Sequence, residues 1–161
     1  MQMQRANAHT IDIYSRSALL DNFAPPHFTL QWDWALQEIE KGLEEGRTDT
    51  LPNGGYVVNE MKPTQYILDQ ARRYLQIRNQ NKIVRIQMYA AVTRHAAMFG
   101  EHTDPGQRSL VLQGQGRSAV AVGDQYAILE PGDIMFLNGD EKHRFTSLGP
   151  RFSITVSLED E

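Results

Sequence analysis

The sequence contains no cysteine in its 161 residues. Disulfides, thiolate metal ligands and cysteine nucleophiles are excluded, and a transition metal could be held only by His, Asp or Glu. Long apolar runs are missing too. The longest, Met88 to Val92, has five residues, against roughly 20 for a helix that spans a bilayer. The opening MQMQRANAHT carries no apolar stretch of the secretory kind, so a cytoplasmic protein with no membrane partner is expected. Nor is there an excess of basic charge. Sixteen Lys and Arg stand against 20 Asp and Glu, a formal net charge of −4, which disfavours broad binding to nucleic acid.

The remaining composition, 40% hydrophobic and 22% charged, is that of a globular chain long enough to bury a core. A single domain over 1–161 is expected, with 1–80 as a helical and irregular support and 81–158 as the core. Residues 1–30 hold Pro25 and Pro26 and little periodicity, and are expected to wrap the core as an arm. Between Asp33, a candidate N-cap, and Gly46, the spacing of Leu36, Ile39 and Leu43 predicts an amphipathic helix. Pro52, Asn53, Gly54 and Gly55 predict a turn or hairpin within 48–58. Thr64 would cap a second helix with Ile67, Leu68, Ala71, Tyr74 and Leu75 on one face.

From about residue 81 the period changes to two. Val84, Ile86, Met88 and Ala90 alternate with Arg85, Gln87 and Tyr89, the pattern of a strand with one core face. Further strands are predicted at Ala96–Glu101, Ser109–Gln113, Ser118–Val122, Gln125–Leu129, Asp133–Leu137, Lys142–Ser147 and Arg151–Leu158. Eight short strands after two helices predict a mainly β, α+β chain folded as a jelly-roll barrel, the cupin-like double-stranded β-helix.

Of the five histidines, His102 and His143 carry the chemistry. His102 and Asp104 stand where a predicted strand runs into a turn, and His143 lies at the start of a later one. A jelly roll can bring these strands together, and two imidazoles with one carboxylate on one face of a metal leave positions open for a co-substrate and dioxygen. On the last strand Phe152, Ile154, Val156 and Leu158 alternate with Arg151, Ser153, Thr155 and Ser157. An inward guanidinium calls for an anion, and Arg151 with Ser153 two residues on would receive the far carboxylate of a diacid.

These residues resemble the Fe(II)- and 2-oxoglutarate-dependent dioxygenases, whose signature is His-x-Asp, a distal His, and Arg-x-Ser on the final strand. The likeness covers about 83–158, and Leu129-Glu130-Pro131-Gly132-Asp133-Ile134 is similar to the family's turn before the distal histidine. The resemblance implies Fe(II) on His102, Asp104 and His143, 2-oxoglutarate held by Arg151 with Ser153, and dioxygen as the oxidant. Tyr89 looks like the tyrosine that hydrogen-bonds the co-substrate in prolyl hydroxylases. Ser157 stands where demethylases of alkylated bases tend to carry a second arginine, and no lysine between Lys82 and Lys142 is available for a jumonji-type anchor. The expected activity is hydroxylation or oxidative demethylation of a small molecule or peptide, with nucleic acid an open but less favoured substrate. Its alternative is a non-oxidative cupin-like module that binds a metal or small molecule.

Smaller signals read as structural. Trp32 and Trp34 are expected to anchor a helix start, Gln113-Gly114-Gln115-Gly116 to turn a hairpin, and Arg94 and His95 to lie in a solvated connector. Nothing recommends His9 or His27 as ligands.

Overall fold

A computed structural model describes residues 1–7, 16–20, 30–62, 83–96 and 99–158, together with Thr64, Ile67 and Asp69. In chain order the elements are β1 (Arg5–Ala6), β2 (Ala18–Leu20), α1 (Trp32–Glu44), β3 (Thr48–Leu51), β4 (Gly55–Val58), β5 (Ile83–Ala91), β6 (Arg108–Gln115), β7 (Ser118–Val122), β8 (Gln125–Leu129), β9 (Ile134–Asn138), β10 (His143–Ser147) and β11 (Arg151–Leu158). One sheet has eight strands in the order β1, β2, β9, β6, β11, β5, β4, β3, and a second has β10, β7, β8. This is the predicted jelly roll.

The central strand β11 pairs antiparallel with β5 and β6. Its period of two sends Phe152, Ile154, Val156 and Leu158 into a cluster with Ile86, Met88, Leu110 and Leu112, covered by Ala35 and Ile39 of α1. The alternate residues Arg151, Ser153, Thr155 and Ser157 face a cleft on the other side. A second apolar cluster fills the space between the sheets, joining Val111, Met135 and Leu137 to Val120, Val122, Ala127 and Leu129.

Phe152 ties the helix to the sheet. It is fully buried, meets Trp32 edge-on at 5.1 Å and Trp34 at 6.0 Å, and lies where any Cβ on Gly114 would overlap its ring. Phe152→Ala is expected to cost about 3–5 kcal/mol, the range for a buried phenylalanine, read as a lower midpoint in urea unfolding.

Several expectations are corrected. The N-cap of α1 is Gln31, without a side-chain hydrogen bond, and Asp33 sits in the first turn, where its charge favours the helix dipole. The buried face is Ala35, Ile39 and Gly42, while Leu36 and Leu43 stay 49% and 47% exposed. The reason is close docking: a Cβ on Gly42 would strike the Thr48 side chain, so the helix turns its small residues toward β3. No strand forms over the described part of Ala96–Glu101, and His102 pairs only through an isolated bridge. Phe99 is exposed at the cleft rim, edge-on to Tyr89 and His102, so its burial cannot drive a strand there. Gln113 to Gly116 do not turn a hairpin, because β6 and β7 belong to different sheets.

The 48–58 hairpin forms, with Asn53 and Gly54 at positive φ. The N-terminal arm contributes β2, which extends the large sheet beside β9. Most of the helix expected from Thr64 lies outside the described residues, although the Ile67 N–H donates to the Thr64 hydroxyl at 3.3 Å. His9 and His27 also lie outside them. Among the described residues no helix is long and apolar enough to cross a membrane.

Candidate metal centre

His102 and His143 exchange backbone hydrogen bonds, N–H to O distances being 3.1 and 3.0 Å. Residues opposed in this way in an antiparallel pair project to the same side, and the two rings are 4.5 Å apart between centroids. Asp104, two residues beyond His102, completes the group. Its Oδ2 is 3.2 Å from His143 Nε2 and 3.4 Å from His102 Nε2, and one donor atom from each of the three lies within 4.8 Å of the others.

Each imidazole is oriented by its second nitrogen. His102 Nδ1 is 2.7 Å from the Gly100 carbonyl and His143 Nδ1 is 2.8 Å from that of Glu141. A carbonyl only accepts, so Nδ1 is the donor in each of these bonds and Nε2 is the nitrogen left facing Asp104, free to act as a metal ligand. The donor set, two nitrogens and one oxygen with the outer side open to the cleft, therefore fits a divalent transition metal.

The backbone around Asp104 is clamped to the turn before β10. Asp104 N–H donates to Gly139 O at 2.8 Å, Gly139 N–H to Gln107 O at 2.8 Å, and Gln107 N–H to Asp104 O at 3.0 Å. Gly139 has to be glycine, since a Cβ would run into the Asp104 carbonyl. Asp140 accepts from Gly106 N–H at 2.8 Å and from Arg108 Nη2 at 3.0 Å, and these contacts hold its carboxyl below the usual range. Asp140→Ala is expected to weaken Mn(II) binding about tenfold by loosening this turn, with a smaller loss in Asp140→Asn; titration against a chelator would measure both.

Arg151 is 1% exposed. Its Nε donates to Ser147 Oγ at 3.0 Å, and its Nη1 to Ser153 Oγ at 3.0 Å and to the Tyr89 carbonyl at 3.4 Å. Among the described residues no carboxylate pairs with it, and burial pushes its pKa down to about 10. The close approach depends on Gly116, which has φ 69° and lies where a Cβ would collide with Arg151 and the Pro150 carbonyl.

One cleft is lined by His102, Asp104 and His143 and also by Arg151, Ser153 and Tyr89. Tyr89 stands opposite Ser153 on β5, its phenol pKa raised by burial and its hydroxyl 3.4 Å from Gln87 Oε1. All six predicted site residues thus share one space. Arg85, Gln87, Gln107, Ser109 and Ser157 line it as well; the polar halves of two alternating strands were the available signal. Arg94 and His95 are exposed and do not line it, and Trp32 and Trp34 pack on Phe152 as expected.

A jelly roll holding this cluster opposite a buried arginine has the fold of the 2-oxoglutarate-dependent oxygenases. No protein-family model and no curated protein matches the sequence. Among solved structures, the chain is similar to the ribosomal oxygenase YcfD from Escherichia coli, at 20% identity over 70% of this chain and 34% of that one, with a TM-score of 0.54. YcfD in complex with cobalt and 2-oxoglutarate gives 20% identity over the same shares and a TM-score of 0.52. A 2OG-Fe(II) oxygenase family oxidoreductase from Burkholderia pseudomallei is 14% identical over 99% of this chain and 95% of that one, with a TM-score of 0.54. The chain spans about a third of the length of YcfD. At these identities the likeness establishes the fold.

Proposed function

We propose that the chain is an Fe(II)- and 2-oxoglutarate-dependent oxygenase that hydroxylates or oxidatively demethylates a small-molecule or peptide substrate in the cytoplasm. The observation that carries this reading is the buried guanidinium of Arg151, without a carboxylate partner among the described residues, in the same cleft as His102, Asp104 and His143. Those three residues would hold the iron, which when bound supplies the redox chemistry coupling dioxygen and 2-oxoglutarate to succinate, carbon dioxide and an oxidised substrate C–H bond.

The chain's own residues supply geometry. Gly100 and Glu141 carbonyls fix the imidazoles so that little reorganisation is needed when the ion arrives. Arg151 offers a planar fork to the far carboxylate of the diacid. Ser147 and Ser153 hold that fork from two sides, which fixes its plane before the ligand enters. Tyr89 closes the wall beside Ser153 with a phenol whose pKa burial raises further above neutrality, able to donate to an oxygen of the co-substrate.

The test is stoichiometric. Chain reconstituted with Fe(II) and 2-oxoglutarate without oxygen, then exposed to air, is expected to release succinate. In the same preparation Mn(II) with 2-oxoglutarate should raise the melting temperature more than Mn(II) alone. A metal that binds with no added effect of the diacid would leave only a metal-binding module.

A further inference from the structure

The polar face of β11 runs well past the arginine that heads it. Ser157 stands opposite Arg85 of β5 on one side and Ser109 of β6 on the other, and all three line the cleft. At the rise of an extended strand this row lies about 20 Å along β11 from Arg151, out of reach of a diacid seated between Arg151 and the metal centre.

Two features of the row point to a ligand. The Ser157 side-chain oxygen is buried in the cleft wall with no hydrogen-bond partner among the described residues, an uncommon state for a hydroxyl in a folded protein. Arg85 is exposed at the mouth, and its Nη2 donates to a neutral acceptor, Gln107 Oε1, at 3.2 Å. Among the described residues it forms no ion pair. Glu101, on the adjoining rim, is likewise not paired with it.

The charge of the cleft indicates what kind of ligand fits. On the reading proposed above, a metal dication, Asp104, Arg151 and a dicarboxylate cancel one another. Arg85 then remains as one uncompensated positive charge lining the cleft. A single negative charge with a planar two-oxygen face matches both the charge and the fork of the guanidinium, and a hydroxyl beside it can donate to one of those oxygens. A phosphate dianion would overshoot that balance.

We propose that Arg85, with the Ser157 hydroxyl beside it, anchors a carboxylate of the primary substrate, which is accordingly a small organic acid or a peptide segment bearing an acid. The anchor holds that carboxylate at the mouth and leaves the rest of the substrate to extend toward the open side of the metal centre. This inference rests on the oxygenase reading.

The experiment uses the full chain saturated with Mn(II) and 2-oxoglutarate. Probes are N-acetyl amino acids and the matching N-acetyl amino-acid amides. Binding is followed by thermal shift and by the paramagnetic broadening that Mn(II) imposes on probe protons. Acids are expected to bind about tenfold or more tightly than their amides, as for a charge-assisted contact. Arg85→Gln should bring the two to near parity, Arg85→Lys should keep part of the preference, and Ser157→Ala should reduce it several-fold. Equal binding of acids and amides by the wild type, or a preference that survives Arg85→Gln, overturns the anchor. So does loss of 2-oxoglutarate binding in Arg85→Gln, which would place Arg85 in the diacid site. A wild-type chain that binds Mn(II) but never 2-oxoglutarate overturns the oxygenase reading and the anchor together, whereas diacid binding without acid preference overturns the anchor alone.

Discussion

Arg151→Met is expected to abolish the added thermal stability that 2-oxoglutarate gives the metal-loaded chain, while leaving the ligand-free fold at least as stable as the wild type. The first effect follows from the loss of a buried, charge-assisted fork. Truncating one member of such a pair costs about 2–5 kcal/mol, or at least about thirtyfold in affinity. The second follows from the position of the charge. Burial moves the Arg151 pKa down to about 10, so keeping the guanidinium charged in the fold costs on the order of a few kcal/mol of desolvation. Hydrogen bonds to Ser147, Ser153 and the Tyr89 carbonyl return part of it.

Folded and unfolded values both lie far above 7, so the arginine is charged in both states at neutral pH and the cost is present in full. It is relieved only as the pH rises through about 10. Methionine fills a similar volume without a charge to desolvate. Urea unfolding without ligand, set beside melting with Mn(II) and 2-oxoglutarate, separates the two effects. Arg151→Lys keeps the charge but not the fork and should recover only a minor part of the binding.

The second large effect is at Asp104. Asp104→Ala is expected to weaken Mn(II) binding by more than the about 10–100-fold typical of residues that only support a ligand, and to stop succinate release. Asp104 is a cleaner target than His143, because its side chain is 38% exposed whereas that of His143 is 2% exposed. Removing the carboxylate opens no buried hole. Removing the buried imidazole does, and His143→Ala should lower unfolding stability along with metal affinity. Calorimetric titration with Mn(II) reads the affinity, and far-UV circular dichroism shows that the variants are folded.

What could be read from the residues follows from the range of the physics involved. The two faces of β11 were legible because a period of two is written into eight consecutive residues. The strands from Ser109 onward were legible from their Gly, Pro and Asp punctuation. The grouping of His102, Asp104 and His143 in one cleft was foreseeable once a jelly roll was assumed. The docking face of α1 was not, because it is set by Gly42 and Thr48 meeting across the chain, and hydrophobicity alone pointed to Leu36 and Leu43. Ala96–Glu101 looked like a strand by composition, but sheet membership depends on partners that no local window contains. The Arg85–Ser157–Ser109 row is likewise a product of register between three strands, visible only once they are paired.

The same eight residues of β11 thus serve as the inner wall of the hydrophobic interior and as the floor on which polar groups are displayed. A single-residue insertion or deletion there would reverse every side chain at once, placing the guanidinium in the oil and the phenylalanine in the water. β11 can therefore accept exchanges of one side chain at a time but not a change of length, which only the connections at its two ends can absorb.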